Sequence, residues 1–118
     1  MFTDHELLKL AAIAVGHGIE FTTDTDGRQR CWFENRFTCI AWEPLNNDGD
    51  ALRLAVKLRI KFRYNEALGQ ALAWTGGYPD FEAKANIEDC GRDENACARR
   101  AIVRAAAEIG RQMQKGGK

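Results

Sequence analysis

The chain has 118 residues, and its 17 basic and 17 acidic side chains give a formal net charge of zero at neutral pH. This length predicts one domain, and 45% apolar with 29% charged residues is typical of a globular protein rather than a disordered one. Zero net charge argues against a protein that coats nucleic acid, because phosphate binding draws on an excess of basic side chains. It leaves room for a local basic patch.

The sequence also bears on location and redox state. No window reaches the roughly 18 to 20 apolar residues of a membrane span, and the first residues include Asp4 and Glu6 instead of the basic start of a signal peptide. We therefore expect a cytosolic protein without a membrane partner. Four cysteines are present: Cys31, Cys39, Cys90 and Cys97. None belongs to a C-x-x-C pair, so we expect free thiols and neither a metal nor another cofactor.

The first predicted element is a helix. Thr3 and Glu6 have the spacing of a capping box, and apolar side chains then recur at helical spacing until Gly16. Three short strands are predicted after it, at 19–22, 29–33 and 37–42. The last two are expected to pair as a hairpin around residues 35 and 36, and the composition of 23–27 is that of a turn.

The middle of the chain is predicted to be a loop, 42–50, that leads into a helix capped by Asp48 or Asp50. These aspartates flank Gly49 as in part of a calcium-binding loop, but the glutamate that closes such a loop is missing, so we prefer the capping interpretation. The buried side of this helix is expected to consist of Leu52, Leu54, Ala55, Val56 and Leu58.

Downstream of this helix the apolar spacing changes to every second residue, which predicts a strand. Its apolar and basic positions alternate: Ile60, Phe62 and Tyr64 against Arg59, Lys61 and Arg63. A second alternating strand is predicted at 81–88, after a Gly-Gly-Tyr-Pro turn at 76–79. The segment 67–74 remains ambiguous because Gly69 weakens both a helix and a strand.

The last predicted element is a helix that begins after Asp93 or Asn95, runs to about Gln114 and leaves a flexible tail at 114–118. One apolar stripe marks its buried side: Ala98, Ile102, Ala105, Ile109 and Met113. Together the elements predict a single α+β domain, residues 1–118, with three helices packed on a mostly antiparallel sheet. Exposed strands or helices would also allow a homodimer.

The sequence offers little that could catalyse a reaction. It contains no serine, which excludes serine-nucleophile hydrolysis. Its two histidines, His5 and His17, do not neighbour a cysteine, and there is no P-loop or metal-binding histidine pair. We therefore predict that the protein is not an enzyme; a small hydrolase that uses a cysteine and a histidine is the catalytic alternative.

Two features predict a binding site instead. The first is a basic face on the last helix, formed by Arg99, Arg100, Arg104 and Arg111. A guanidinium presents a planar fork of donors that matches phosphate and carboxylate. The second is the pair Trp74 and Tyr78 around a flexible turn, where aromatic rings can stack on a base or anchor a protein. The candidate ligand-binding residues are Trp74, Tyr78, Arg100 and Arg104.

Each feature has a purely structural alternative. The arginines can form an ordinary solvated helix face, with Arg104 paired to Glu108, and Trp74 can close the edge of the core. A third positive surface consists of Arg59, Lys61 and Arg63. For this strand we favour pairing across the sheet with Glu82 or Glu88.

Part of the chain resembles a family of small phage and prophage proteins, the phage α-β-α sandwich domain. The resemblance rests on Trp42, Pro44, Asp50 and Ala51, which match a W-x-P-x-x-x-x-x-D-A loop, and on the run A-I-x-R-A-A at 101–106. It covers about residues 42 to 113. The resemblance implies a fold and a phage setting, and it implies no reaction.

Small phage proteins often act against host defence, and this setting gives two hypotheses. The first is a non-enzymatic counter-defence protein that binds and sequesters an anionic small molecule, for instance a cyclic signalling nucleotide. In size and in the four-residue spacing of Arg100 and Arg104, the chain is similar to the Thoeris anti-defence proteins. The alternative is an inhibitor or regulator, similar to an anti-CRISPR protein, that binds a host defence protein through its surface.

Overall fold

A computed structural model of the chain describes residues 2–16, 18–33, 37, 40–77 and 80–116. Its elements follow in the order α1 (Asp4–Val15), β1 (Ile19–Thr23), β2 (Gln29–Phe33), α2 (Asp48–Leu58), β3 (Lys61–Asn65), β4 (Gln70–Trp74), β5 (Glu82–Asn86) and α3 (Glu94–Gly116), with a 3₁₀ turn at Ile87–Cys90. The predicted α+β class is confirmed, and these strands pair antiparallel. No helix in the described ranges is both long and apolar enough to cross a lipid bilayer.

The strands form two separate sheets. β1 pairs with β2 as a hairpin, and β3, β4 and β5 form a second sheet in that order. The turn at 23–27 joins β1 to β2, and these two strands pair along their full length. On the other edge of β2, the predicted pairing with 37–42 is confirmed where that segment is described, since the Trp42 amide donates to the Cys31 carbonyl oxygen at 2.9 Å. From the segment 37–42, the described positions contribute a bridge between Ala41 and Trp32. Residues 34–36, the centre of the predicted hairpin, lie outside the described residues.

The start of α1 confirms the predicted capping box. Thr3 Oγ1 accepts a hydrogen bond from the Glu6 amide at 3.1 Å, and Glu6 Oε1 accepts one from the Thr3 amide at 2.8 Å. The helix ends at Gly16, whose φ of +103° lies in the region that glycine tolerates and other residues avoid. Both ends of α1 are therefore encoded locally.

The cap of α2 differs from the prediction. Asn47 is the N-cap in place of Asp48 or Asp50, and its side chain accepts from the Asp50 amide at 2.9 Å. The Asp50 carboxylate is buried, and it accepts from the Glu43 amide at 2.8 Å and from Arg53 at 2.5 Å. Because these donors satisfy it, Asp50 can fix the preceding loop to the first turn of the helix.

The side of α2 that is buried is narrower than predicted. Ala51, Leu54 and Ala55 are buried, whereas the side chains of Leu52 and Val56 are 54% and 69% exposed. α2 makes most of its contacts with α3, and a single neighbouring helix covers only one stripe of its circumference. The sequence pattern is too broadly apolar to show which stripe that is.

The central element of the fold is α3. It contacts α1, α2 and all three strands of the second sheet, so it is buried on several sides rather than along one stripe. The buried positions include Cys97, Ala101, Ile102, Val103, Ala105, Ala106 and Ala107. The predicted stripe is therefore too narrow, and its last member, Met113, is 46% exposed. The helix also continues to Gly116, past the predicted end at Gln114 and into the predicted tail.

Helices α1 and α3 approach each other very closely at Gly110. This residue is buried, and a Cβ at its position would lie 1.9 Å from the Leu10 carbonyl oxygen of α1. That distance is far inside van der Waals contact with a backbone atom, which cannot move aside without shifting the helix. The crossing of α1 and α3 therefore requires glycine at this position.

We predict that Gly110→Ala destabilises the fold by about 2 kcal/mol or more, because the methyl group forces α1 away from α3. At an exposed helical site the same change would stabilise by about 1 kcal/mol, so the sign of the effect is informative. Gly77→Ala is the control, since nothing lies within 4 Å of a Cβ there. Urea denaturation measures both free energies of unfolding, and an unchanged midpoint for Gly110→Ala would contradict the close approach.

Candidate functional site

The three-stranded sheet has one covered face and one open face. Ala71 and Ala73 of β4, the middle strand, are buried in the core that α3 shares. Because side chains alternate along a strand, Leu72 and Trp74 project from the opposite face. The segment 67–74, which the sequence pattern leaves ambiguous, is thus the end of a turn followed by the middle strand.

We call the open surface the outer face. Strand register places nine side chains on it in three rows: Lys61–Trp74–Glu82, Arg63–Leu72–Lys84 and Asn65–Gln70–Asn86. Two rows have an apolar side chain at their centre, and the third consists of uncharged amides. The outer face carries basic residues on both flanking strands and one acidic residue, so it is positively charged on a chain whose net charge is zero.

A shallow groove of about 490 Å³ lies on the outer face. Its lining includes Leu72 and Trp74 together with Arg63, Glu82 and Lys84. Leu72 and Trp74 are half-buried, so part of each apolar surface stays accessible to a ligand. The groove has the volume of a small-molecule site, about 300–1,000 Å³, and it combines an aromatic surface with cationic side chains.

None of the three cations of the outer face has an acidic partner in the described ranges, and Lys61 donates to a backbone carbonyl oxygen. Neither Arg63 nor Lys84 forms an ion pair with a described residue. The predicted pairing of the β3 cations with Glu82 or Glu88 is wrong, because β4 separates β3 from β5 and Glu88 pairs with Arg92 at 3.1 Å. The side-chain donors of Arg63 and Lys84 are therefore available to an outside anion.

The turn after β4 is held by Asp80. Its Oδ1 accepts from the amides of Thr75 and Gly76, at 3.2 and 2.8 Å, and from the Thr75 hydroxyl at 3.2 Å. These donors, the Gly76 amide above all, lower the pKa of Asp80. Lys61 Nζ donates to the Thr75 carbonyl oxygen at 3.1 Å, so a cation of the outer face also fixes this turn. Tyr78, another predicted site residue, lies outside the described residues.

The guanidinium of Arg100 is occupied by an internal anion. Its two terminal nitrogens donate to the two Asp4 carboxylate oxygens at 2.9 and 3.2 Å, which joins α3 to the first turn of α1. This pairing lowers the pKa of Asp4 and raises the pKa of Arg100. The fork that the sequence predicts for an outside ligand is therefore used to hold two helices together.

Arg104 also makes an internal contact. Its Nη1 donates to the Lys84 carbonyl oxygen at 2.7 Å, on the edge strand β5. The alternative of a solvated Arg104–Glu108 pair is wrong as well, because Glu108 pairs with Arg111. Like Arg104, Arg99 donates to a backbone carbonyl oxygen, in this case that of Leu45 in the loop before α2, at 2.8 Å. The arginines of α3 thus mainly tie neighbouring elements to the helix.

The predicted site residues are therefore not brought together. Trp74 projects from the outer face, whereas Arg100 and Arg104 belong to α3, which packs against the opposite face of the sheet. The residues that do accompany Trp74 are Arg63 and Lys84, which the sequence analysis did not select. The alternating charges of β3 and β5 indicate these two residues in the sequence. They were not selected because the cations of β3 were expected to pair with Glu82 or Glu88.

The described thiols, Cys31, Cys90 and Cys97, show no catalytic pairing with the described histidine, His5. His5 packs edge-on against an aromatic ring of β1, with ring centroids 5.5 Å apart, and Cys31 and Cys97 are buried. Burial raises the pKa of Cys31 to about 11, the opposite of an activated thiol. No three metal-ligating side chains among the described residues are placed to hold an ion. His17 and Cys39 lie outside those residues.

Comparison with known proteins adds no relative. No protein-family model matches the chain, and neither a curated protein nor a solved structure matches it. The resemblance of residues 42–113 to the phage α-β-α sandwich domain therefore stays a prediction.

We predict that the Asp4–Arg100 pair stabilises the fold modestly and in a pH-dependent way. Asp4 is 62% exposed at its side chain and Arg100 22%, so solvent screening limits the coupling to about 0.5–1 kcal/mol at pH 7. The pKa of Asp4 is lowered on folding. The contribution is therefore complete above the ordinary value of 3.8 and is lost as the pH falls through the lowered value.

A double-mutant cycle with Asp4→Asn and Arg100→Ala, followed by urea denaturation at several pH values, measures this coupling. The control is the cycle for Glu88 and Arg92, whose side chains are 72% and 73% exposed and should couple less. Coupling between Asp4 and Arg100 that persists at pH 2 would contradict an ionic contact.

Proposed function

We propose that the chain is a non-catalytic binding domain whose outer face binds an anionic ligand that carries a planar ring, such as a nucleotide. The observation that carries the proposal is the placement of Trp74 next to two cations, Arg63 and Lys84, that lack an acidic partner among the described residues. In the phage setting that the resemblance implies, such a protein sequesters an immune signalling nucleotide in the host cytosol.

The chemistry of the groove fits both parts of such a ligand. Stacking of a base on an aromatic side chain contributes about 1–3 kcal/mol and tolerates any base, because every base has a π-face. A guanidinium binds phosphate with a fork of donors, and an ammonium binds it as a point charge. Trp74, Arg63 and Lys84 supply one group of each kind on one surface.

We predict that Trp74→Ala weakens nucleotide binding by about 1–3 kcal/mol, because stacking is lost, and that Trp74→Phe retains most of the affinity. Arg63→Ala and Lys84→Ala should each weaken binding through loss of a charge-assisted hydrogen bond, worth about 1.5–3 kcal/mol. Isothermal titration calorimetry with cyclic dinucleotides and with linear adenine nucleotides measures these affinities.

Two controls separate the outer face from the arginines of α3. Lys57→Ala removes an exposed cation from α2 and should leave the affinity unchanged. Arg100→Ala and Arg104→Ala should lower stability without changing the affinity of the folded protein, because both side chains are bound internally. If these arginine variants lost nucleotide binding while Trp74→Ala kept its affinity, the ligand-binding site would lie on α3 instead of the outer face.

A protein-binding inhibitor is the second candidate, and one observation favours it. Leu52 and Val56 of α2 are exposed, and Phe62 of β3 is 43% exposed. Leu52 and Val56 share a helix face, and Leu52 and Phe62 line the same groove of about 230 Å³. We call these three residues the apolar surface. A contiguous exposed apolar patch is typical of a site for a protein partner, in this setting a host defence protein.

We predict that Leu52→Glu with Val56→Glu abolishes binding of such a partner and leaves the fold intact, since both side chains lie in solvent. Lys57→Glu, on the same helix, is the matched control and should retain the partner. Cross-linking in host cells followed by native mass spectrometry measures the composition of the complex. A complex that survives in the Leu52/Val56 double variant, or a second copy of this chain in place of a host protein, would count against this candidate.

A further inference from the structure

No described element covers the outer face along its length, and this limits the kind of ligand it can bind. From the row Lys61–Trp74–Glu82 to the row Asn65–Gln70–Asn86, it extends about 14 Å along the strands at about 3.4 Å per residue. Small-molecule sites usually enclose 70–90% of a ligand's surface, whereas a flat face covers only one side of it. A single nucleotide on this face would leave most of its second side in water.

We propose that the ligand of the outer face is a single-stranded nucleic acid segment of about two to four nucleotides. The proposal rests on the proposed function and names the ligand class. Phosphates along one stacked strand are about 3.4 Å apart, so two to four nucleotides fit within the length of the face. A polymer also compensates for the lack of enclosure, because each nucleotide adds a contact on the same open surface.

The distribution of charge gives the segment a path. One base stacks on Trp74, and phosphates follow Lys61 and Arg63 along β3, because Glu82 repels them from the β5 end of the Trp74 row. In the next row no acidic side chain is present, and Lys84 meets the backbone from the other side. The carboxylate of Glu82 thus orients the segment.

The amide row completes the surface at its other end. Gln70 and Asn86 share a hydrogen bond of 3.0 Å, and Asn65 Oδ1 accepts from the Ala67 amide at 3.1 Å. Each amide side chain keeps further donors or acceptors that can meet a base edge. Since this row has no charge, a base rather than a phosphate fits it, which agrees with a strand that lies along β4.

A duplex does not fit the same surface. Stacking on Trp74 requires an unpaired base, and the few cations of the outer face would contact only a short stretch of one backbone. The outer face therefore distinguishes single strands from duplexes by their unpaired bases.

The test is fluorescence anisotropy of a labelled ten-nucleotide oligothymidylate and oligouridylate at about 50 mM salt. The competitors are a duplex of equal length, thymidine monophosphate and polyglutamate. We expect the oligomers to bind, the monophosphate to compete at least tenfold more weakly, and the duplex not to compete. Trp74→Ala should weaken oligomer binding about tenfold, and Trp74→Phe much less.

Two further measurements use charge variants. Arg63→Ala and Lys84→Ala should each reduce the slope of log affinity against log salt by about 0.7, the value for one phosphate contact on a single strand. Glu82→Gln should raise the affinity severalfold, because a repulsive carboxylate is removed while its shape is kept. Lys57→Ala should leave affinity and slope unchanged. A rise in affinity cannot result from a damaged fold. The Glu82→Gln variant therefore still tests the inference if Trp74→Ala fails to fold.

The outcomes separate this inference from the proposed function. If thymidine monophosphate competes as well as the oligomers, with the same dependence on Trp74, the outer face binds nucleotides and the polymer inference is overturned. If the duplex or polyglutamate competes as well as the single-stranded oligomers, the outer face recognises negative charge alone and the inference also fails. If neither oligomers nor nucleotides bind, both the inference and the proposed function fail.

Discussion

The close packing around α3 is the constraint on which the fold depends. Its small side chains, among them Ala101, Ala105, Ala106 and Gly110, let a helix and a sheet approach it on different sides. α1 and α2 make their main tertiary contacts with α3 and few with the sheet. As a result, the helices gather on one side of β3, β4 and β5, and the outer face receives no cover from any described element.

The same packing decides what the arginines do. A helix surrounded by other elements brings its long side chains within reach of their backbones and carboxylates, so Arg100 meets Asp4 and Arg104 meets the Lys84 carbonyl oxygen. A guanidinium held in this way loses the freedom to follow a ligand. Positive charge that is available to an outside anion therefore has to come from the strands, where Arg63 and Lys84 point away from α3.

The parts of the fold that could be predicted are those that local residues encode. The capping box of Thr3 and Glu6 and the alternation in β3 and β5 gave the helix start and the strands. The pairing of β1 with β2 and the exposure of Leu52 depend on which elements meet in three dimensions, and no local pattern contains that information. Trp74 was selected because of its residue type. Its neighbours were missed because the order β3–β4–β5 decides which charges can pair.

The middle strand departs from the usual arrangement of a half-exposed sheet, because its side chains at 71–74 are apolar on both faces. Such sheets place apolar side chains against the core and polar ones in water, but β4 directs Ala71 and Ala73 inward and Leu72 and Trp74 outward. The inward alanines follow from the close approach of α3. Packing within the described residues does not require the outward Leu72 and Trp74, and leaving them half in water forgoes hydrophobic stabilisation of about 25 cal/mol per Å². A ligand that covers them recovers that stabilisation, which is the physical reason to look for function on this face.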